Sequence, residues 1–249
     1  SRAPNEWIIS HPNQPVHPYS GKIWIGLWQL SGDRFGHSAG SEQNQLIRDA
    51  VAHGFYHFDT SYFYAKGRAN QLLTQAVSDR SQIVISSKVG LQWNHNSVVH
   101  DATPSGLLKQ LDCEWNSLYQ QPIDIMHLHW PDPQVSLHES LSVIHDWPHA
   151  HHIGLCNEST TDSLPQIQTF QHVFNPLQAH HDPFKFHHDR GIRTMAYSPF
   201  AQGVLLQSDP AHYIQSLGKK DWRRRNPLYQ SPHTSITCSN IHHHIRQSG

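Results

Sequence analysis

Short apolar runs alternate with longer amphipathic ones along most of the chain. Residues 22–28, 55–59, 82–89, 123–130, 151–157, 170–175 and 192–198 are compact, β-branched or aromatic runs that read as seven strands. Between them, residues 41–53 carry Leu46, Ile47, Ala50 and Val51 toward one face, with Ser41 as the expected N-cap. Residues 104–119 open on a proline and space Leu107, Leu108, Leu111, Trp115 and Leu118 helically. Shorter helices are expected over 137–147 and 160–168, with Leu141, Ile144, Leu164 and Ile167 turned inward. Strand-helix alternation of this kind makes right-handed βαβ units and a parallel sheet.

No Gly-x-Gly-x-x-Gly turn follows any of these strands, which argues against a doubly wound dinucleotide fold. The expectation is an α/β protein, a (β/α)8 TIM-type barrel forming a single domain over residues 1–249. Its C-terminal strand and helix read as shortened or missing, because the one candidate for an eighth strand, Thr234–Cys238, is weak.

Composition narrows the function classes. Lys and Arg number 18 against 19 Asp and Glu, so no basic face for nucleic acid is expected. The one basic run, from Lys219 to Arg225, reads as a solvated turn. Three separated cysteines, Cys113, Cys156 and Cys238, fit a reducing compartment better than a disulfide framework. No apolar run approaches the ~20 residues of a membrane span, and the N-terminal stretch has no secretory h-region. The reading is a cytoplasmic protein. Histidine is abundant, at 24 residues, but no HExxH and no Cys/His zinc spacing accompanies it. No metal site is expected.

On the barrel frame, Asp59 ends the second strand, Lys88 stands near the end of the third and His129 at the end of the fourth. Tyr64 lies in the loop just beyond Asp59. A lone strand-end histidine is more often structural, and a lone lysine is usually solvated. Four reactive groups at the same end of consecutive strands are harder to read that way, because barrel chemistry sits at that end.

The order Asp-x4-Tyr, then Ser-Ser-Lys-Val, then Leu-His-Trp-Pro-Asp resembles the aldo-keto reductase family. The similarity continues through Ile25-Gly-Leu-Trp-Gln-Leu30, Ile153-Gly-Leu-Cys-Asn157, Gln171 and Ala196-Tyr-Ser-Pro-Phe-Ala-Gln-Gly203, and covers roughly residues 21–230. The resemblance implies reduction of an aldehyde or ketone to an alcohol, or the reverse, with NADP(H) as cofactor. It makes Tyr64 the general acid/base, Lys88 the cation that lowers its pKa, Asp59 the partner of Lys88, and His129 the group that orients the carbonyl. It also implies cofactor contacts from Cys156, Asn157, Gln171, Tyr197, Ser198, Gln202 and Gly203. Tyr197 would stack on the nicotinamide, with Asn157 and Gln171 on its carboxamide. The partner expected is a small carbonyl or alcohol substrate.

Several positions depart from the family pattern. Cys156 stands where serine is usual, Ala65 where glycine follows the tyrosine, and Asn70 where glutamate is usual. After Tyr229 the family's late helix, eighth strand and 2′-phosphate-binding loop are not recognisable, so dimerisation is one way such a barrel could close its exposed edges. These departures support an alternative expectation, a catalytically weak or inactive nicotinamide-binding barrel serving as a regulatory or scaffolding subunit.

Overall fold

The computed structural model describes residues 22–32, 40–95, 97–158, 167–175 and 184–216. The chain divides after Phe170 into two compact units, 1–170 and 171–249.

The first unit starts with a short strand β1 (Ile25–Gly26), helix α1 (Ser41–Ala52), β2 (His57–Asp59) and α2 (Arg68–Ala76). Then come β3 (Val84–Val89), a hairpin of β4 (Leu91–Asn94) and β5 (Ser97–His100), and α3 (Pro104–Ser117). Strand β6 (Ile123–Leu128), α4 (Leu137–Asp146) and β7 (Ala150–Cys156) follow. Strands β1, β2, β3, β6 and β7 pair in parallel, each with the next, and the register sets Gly26 beside Asp59, Asp59 beside Ser86, and Lys88 beside His127. This sequential parallel pairing through helices is the connection order of a (β/α)8 barrel. Strand β8 (Thr169–Val173) leads into the second unit, whose other described elements are α5 (Lys185–His188), β9 (Arg193–Tyr197), a 3-10 segment (Ala201–Leu206) and α6 (Pro210–Ser216). There Phe174 N–H donates to Tyr197 O at 3.1 Å.

All seven expected strands are present, with ends trimmed or shifted by up to three residues. The first is the most reduced, because Trp28 to Gly32 turn immediately after it, with Ser31 N–H donating to Leu27 O at 3.0 Å. The expected eighth strand lies outside the described residues, as does most of the helix expected over 160–168.

Helix faces explain the packing. Pro104 opens α3 behind Thr103, whose Oγ1 accepts from Gly106 N–H at 3.1 Å. Leu107, Leu111 and Leu118 are fully buried, whereas Leu108, expected inward, is exposed. Neighbouring residues on a helix point about 100° apart, so one of these two adjacent leucines turns away from the core. Leu46 is exposed for the same reason while Ile47 is buried. The cap of α1 also falls one residue earlier than expected, at Gly40, whose N–H donates to Gln43 Oε1 at 2.8 Å. Between sheet and helices lie Phe58, Ile85, Met126, Leu128 and Leu155, each fully or almost fully buried. Each such side chain contributes about 1.5–3 kcal/mol by leaving water.

Candidate active site

Strand β3 is buried along its whole length, so the two-residue period decides what each of its polar side chains meets. Ser86 and Lys88 share one face. Lys88 Nζ donates to Asp59 Oδ2 at 2.6 Å and to Thr60 O at 3.0 Å, and Ser86 Oγ donates to Asp59 Oδ1 at 2.9 Å. The carboxylate that ends β2 is therefore held from two sides by the next strand. Burial works against the Lys88 ammonium, but the Asp59 carboxylate beside it holds the lysine pKa above its ordinary value. Lys88 is a fixed cation at any physiological pH.

Behind this pair runs a chain of buried hydrogen bonds. His127 Nδ1 lies 3.2 Å from Ser86 Oγ, and its Nε2 lies 2.9 Å from Thr169 Oγ1. Since the Ser86 hydroxyl proton goes to Asp59, the ring must donate from Nδ1 and accept from Thr169 at Nε2. Burial lowers the His127 pKa to about 4, which keeps the ring in that neutral form. Gly154 makes room for it: a Cβ there would stand 2.2 Å from both His127 Cδ2 and Thr169 Oγ1.

The loop from Thr60 to Gly67 carries Tyr64. It turns through three consecutive left-handed residues, Ala65, Lys66 and Gly67, with φ of 49°, 56° and 89°. Ala65 thus occupies a conformation that suits the glycine usual at this position. The Tyr64 ring is buried, stacks on Trp28 at 6.1 Å between centroids and meets the edge of His129 at 5.8 Å. Lys88 Nζ lies 5.0 Å from the ring centroid. Burial pushes the phenol up to about 12, with Lys88 pulling it down and Asp59 pushing it up. The effect expected of Lys88 is present, but desolvation exceeds it.

His129 follows β6 and has its pKa held well below the ordinary histidine value, first by burial and then by Lys88. Its Nδ1 is buried without a hydrogen-bond partner among the described residues. The structure thus brings Asp59, Tyr64, Lys88 and His129 together within the first unit. A neutral imidazole, a protonated phenol and a buried ammonium can position a polar oxygen and hand it a proton.

Of the residues expected to hold a cofactor, Cys156 and Tyr197 end strands, Asn157 and Ser198 directly follow them, Gln171 lies within a strand, and Gln202 and Gly203 lie in the segment after β9. Cys156 ends β7, buried, with its thiol pushed up by desolvation, which leaves it protonated and unreactive as a nucleophile. Asn157 follows with φ of 63° and donates from Nδ2 to His129 O at 3.0 Å. In the second unit, Gln171 is buried on β8 and Tyr197 ends β9. Ser198, Gln202 and Gly203 beyond it have φ of 53°, 57° and 91°. Gln202 Oε1 is buried without a partner among the described residues. Left-handed non-glycine residues are costly and concentrate at functional sites, so their recurrence at these positions is informative.

Sequence reasoning missed a buried acid. Glu114 lies on the inward face of α3 beside Leu107 and Leu111, where an acid breaking the apolar stripe was the available signal. It accepts from Tyr62 N–H at 2.5 Å, Ser87 Oγ at 2.8 Å and Asn70 Nδ2 at 2.9 Å. Among the described residues no group of three or more His, Cys, Asp or Glu is arranged to hold a metal, and no helix is long and apolar enough to cross a membrane.

Comparison with known proteins gives a consistent result. The model of the aldo/keto reductase family matches residues 22–243. An aldo-keto reductase of Bacillus subtilis is 24% identical over 231 residues, covering 86% of this chain and 68% of that protein. A glycerol dehydrogenase structure from Gluconobacter oxydans superposes with a TM-score of 0.68 at 22% identity, over 85% of this chain and 69% of that one. An aldo/keto reductase from Klebsiella pneumoniae, solved in complex with NADP and acetate, superposes with a TM-score of 0.61 at 21% identity, over 78% and 71%. The chain thus spans about two thirds of the length of these relatives.

Proposed function

This chain belongs to the aldo-keto reductase family, and from that premise we propose that it reduces an aldehyde or ketone to an alcohol, or runs the reverse reaction, with NADP(H). The observation that carries the reading is the buried Lys88 ammonium, held by Asp59 at 2.6 Å and standing 5.0 Å from the centre of the Tyr64 ring. When bound, the nicotinamide supplies the hydride. Cys156, Asn157, Gln171, Tyr197, Ser198, Gln202 and Gly203 are the residues proposed to hold it. Within the second unit, the buried Gln202 Oε1, without a partner among the described residues, and the left-handed backbone at Ser198 and Gln202 favour a ligand; within the first, the left-handed backbone at Asn157 does.

The protein's part in reduction is proton delivery. His129, neutral and with one ring nitrogen unpartnered among the described residues, fixes the carbonyl oxygen. Tyr64 then gives its proton to that oxygen as negative charge builds on it. A phenol pKa near 12 keeps the proton on Tyr64 until the oxygen becomes more basic than the phenolate. Lys88 stabilises the phenolate left behind, and Asp59 keeps Lys88 aimed. Burial of the group strengthens each of these interactions relative to water. The reading makes the partner a small carbonyl or alcohol and the setting cytoplasmic.

Steady-state assays of NADPH and NADH oxidation against a panel of aldehydes and ketones test it. Cofactor-dependent turnover is expected. Tight nicotinamide binding with no turnover on any substrate would replace it with the regulatory-subunit reading.

A further inference from the structure

Glu114 is 1% exposed, yet three elements besides its own helix donate to it. Tyr62 N–H comes from the loop that carries Tyr64, Ser87 Oγ from the helix-facing side of β3, and Asn70 Nδ2 from α2. Asn70 in turn accepts from Thr60 Oγ1 at 2.7 Å, and Ser61 Oγ donates to Lys88 O at 2.9 Å, within 3.5 Å of Glu114 Oε1. Thr60, Ser61 and Tyr62, a segment that ends two residues before the proposed acid, are thus all tied, directly or through one side chain, to a single carboxylate.

The donor set defines the form of Glu114 that it suits. The amide, the carboxamide and the Ser87 hydroxyl can all donate, and their three protons match the acceptors of an ionised carboxylate. Asn70 stands where the family resemblance leads one to expect glutamate. Here α2 supplies an amide at that position, and the carboxylate it donates to comes from α3.

We propose that Glu114 is a positioning residue of this site: as a carboxylate it ties residues 60–62 to α2, α3 and β3 and thereby sets where Tyr64 stands. The proposal rests on the reductase reading only for what Tyr64 does once it is placed. Burial raises the Glu114 pKa to about 7, while the three donors and the charge of Lys88 pull it down. The tether therefore changes strength near neutral pH. The other titratable groups around Glu114 are Lys66, His95, Tyr62, Lys109 and Cys113, which line the same cavity of about 460 Å³, and Asp59 lies beyond Lys88.

Hydrogen exchange of the loop amides in the full chain, corrected for intrinsic rates and followed from pH 5.5 to 8.5, reads the tether without any need for turnover. Protection at Tyr62 should rise as Glu114 ionises, on the order of fivefold, because a hydrogen bond to a charged acceptor is the stronger one. Glu114→Gln should abolish the step. Asn70→Ala, which removes one donor and keeps the acid, should move its midpoint to higher pH. In the active enzyme kcat/KM should carry the same step, absent in Glu114→Gln. A step that survives Glu114→Gln, or a midpoint that Asn70→Ala leaves in place, overturns the proposal. So does an unchanged kcat/KM profile in an active Glu114→Gln variant. A tether step that behaves as expected in a protein without turnover supports the placement by Glu114 and overturns the reductase reading instead.

Discussion

Removing the Lys88 charge probes the proposed chemistry and the packing at once. In Lys88→Met the chain length is nearly kept, but Asp59 loses the donor at 2.6 Å and Tyr64 loses its cation. A unit charge 5.0 Å from the centre of the Tyr64 ring, at an effective dielectric constant of ~20, stabilises a phenolate by about 3 kcal/mol. That corresponds to ~2 units of phenol pKa. If about half to all of it is felt where the proton is in flight, kcat falls by roughly 15-fold to 250-fold. The fold suffers too, since breaking a buried pair from one side costs about 3–5 kcal/mol. The low end is expected, because Ser86 Oγ still donates to Asp59 and the Asp59 side chain is 13% exposed. The double variant Asp59→Asn/Lys88→Met should recover much of that stability and none of the turnover. Urea unfolding and turnover per folded molecule measure the two effects separately. A Lys88→Met protein that binds cofactor and keeps kcat within about twofold refutes the role given to Lys88.

Other expectations follow from the same contacts. Gly154→Ala puts a Cβ 2.2 Å from His127 Cδ2 and Thr169 Oγ1 and should lower stability by about 2–3 kcal/mol in denaturant titrations. Glu114 and His127 pull the pH dependence of stability in opposite directions. The native state keeps a proton on Glu114 up to about pH 7, against 4.5 unfolded, so this group makes stability fall as pH rises through that window. The native state keeps His127 neutral down to about pH 4, against 6.5 unfolded, so its contribution is lost as pH falls. Glu114→Gln should leave the histidine slope unopposed, making the loss of stability from pH 7 to 4.5 steeper than in the wild type by about 3 kcal/mol. Equal slopes in the two proteins would show that Glu114 does not titrate in that window.

Much of the frame is legible in the sequence because buried parallel strands are compact apolar runs. Residues 82–89 and 123–130 became β3 and β6 with only their ends trimmed. The β4–β5 hairpin carries no such signal: β5 is exposed at every position, and the turn uses His95 at φ of 53° rather than an Asn-Gly pair. Helix α2 was hidden by its composition, with Leu72 and Leu73 alone among polar residues to mark a face. At the site, Asp59, Tyr64, Lys88 and His129 were legible from their order and from family resemblance. The groups that orient them were not. Ser86, His127 and Thr169 meet only because β3, β6 and β8 fold together, and a serine, a histidine or a threonine in a strand announces nothing by itself. Glu114 was missed as well, although an acid within the apolar stripe of α3 left a signal that helical spacing could have read.

The central claim is that Tyr64 delivers the proton, and Tyr64→Phe tests it most directly. The change removes one oxygen and keeps the ring that stacks on Trp28 and meets His129. Nicotinamide fluorescence should report cofactor binding like that of the wild type, while kcat for carbonyl reduction falls by about 10²-fold to 10⁴-fold. A Tyr64→Phe protein that binds cofactor and turns over at the wild-type rate would contradict the account.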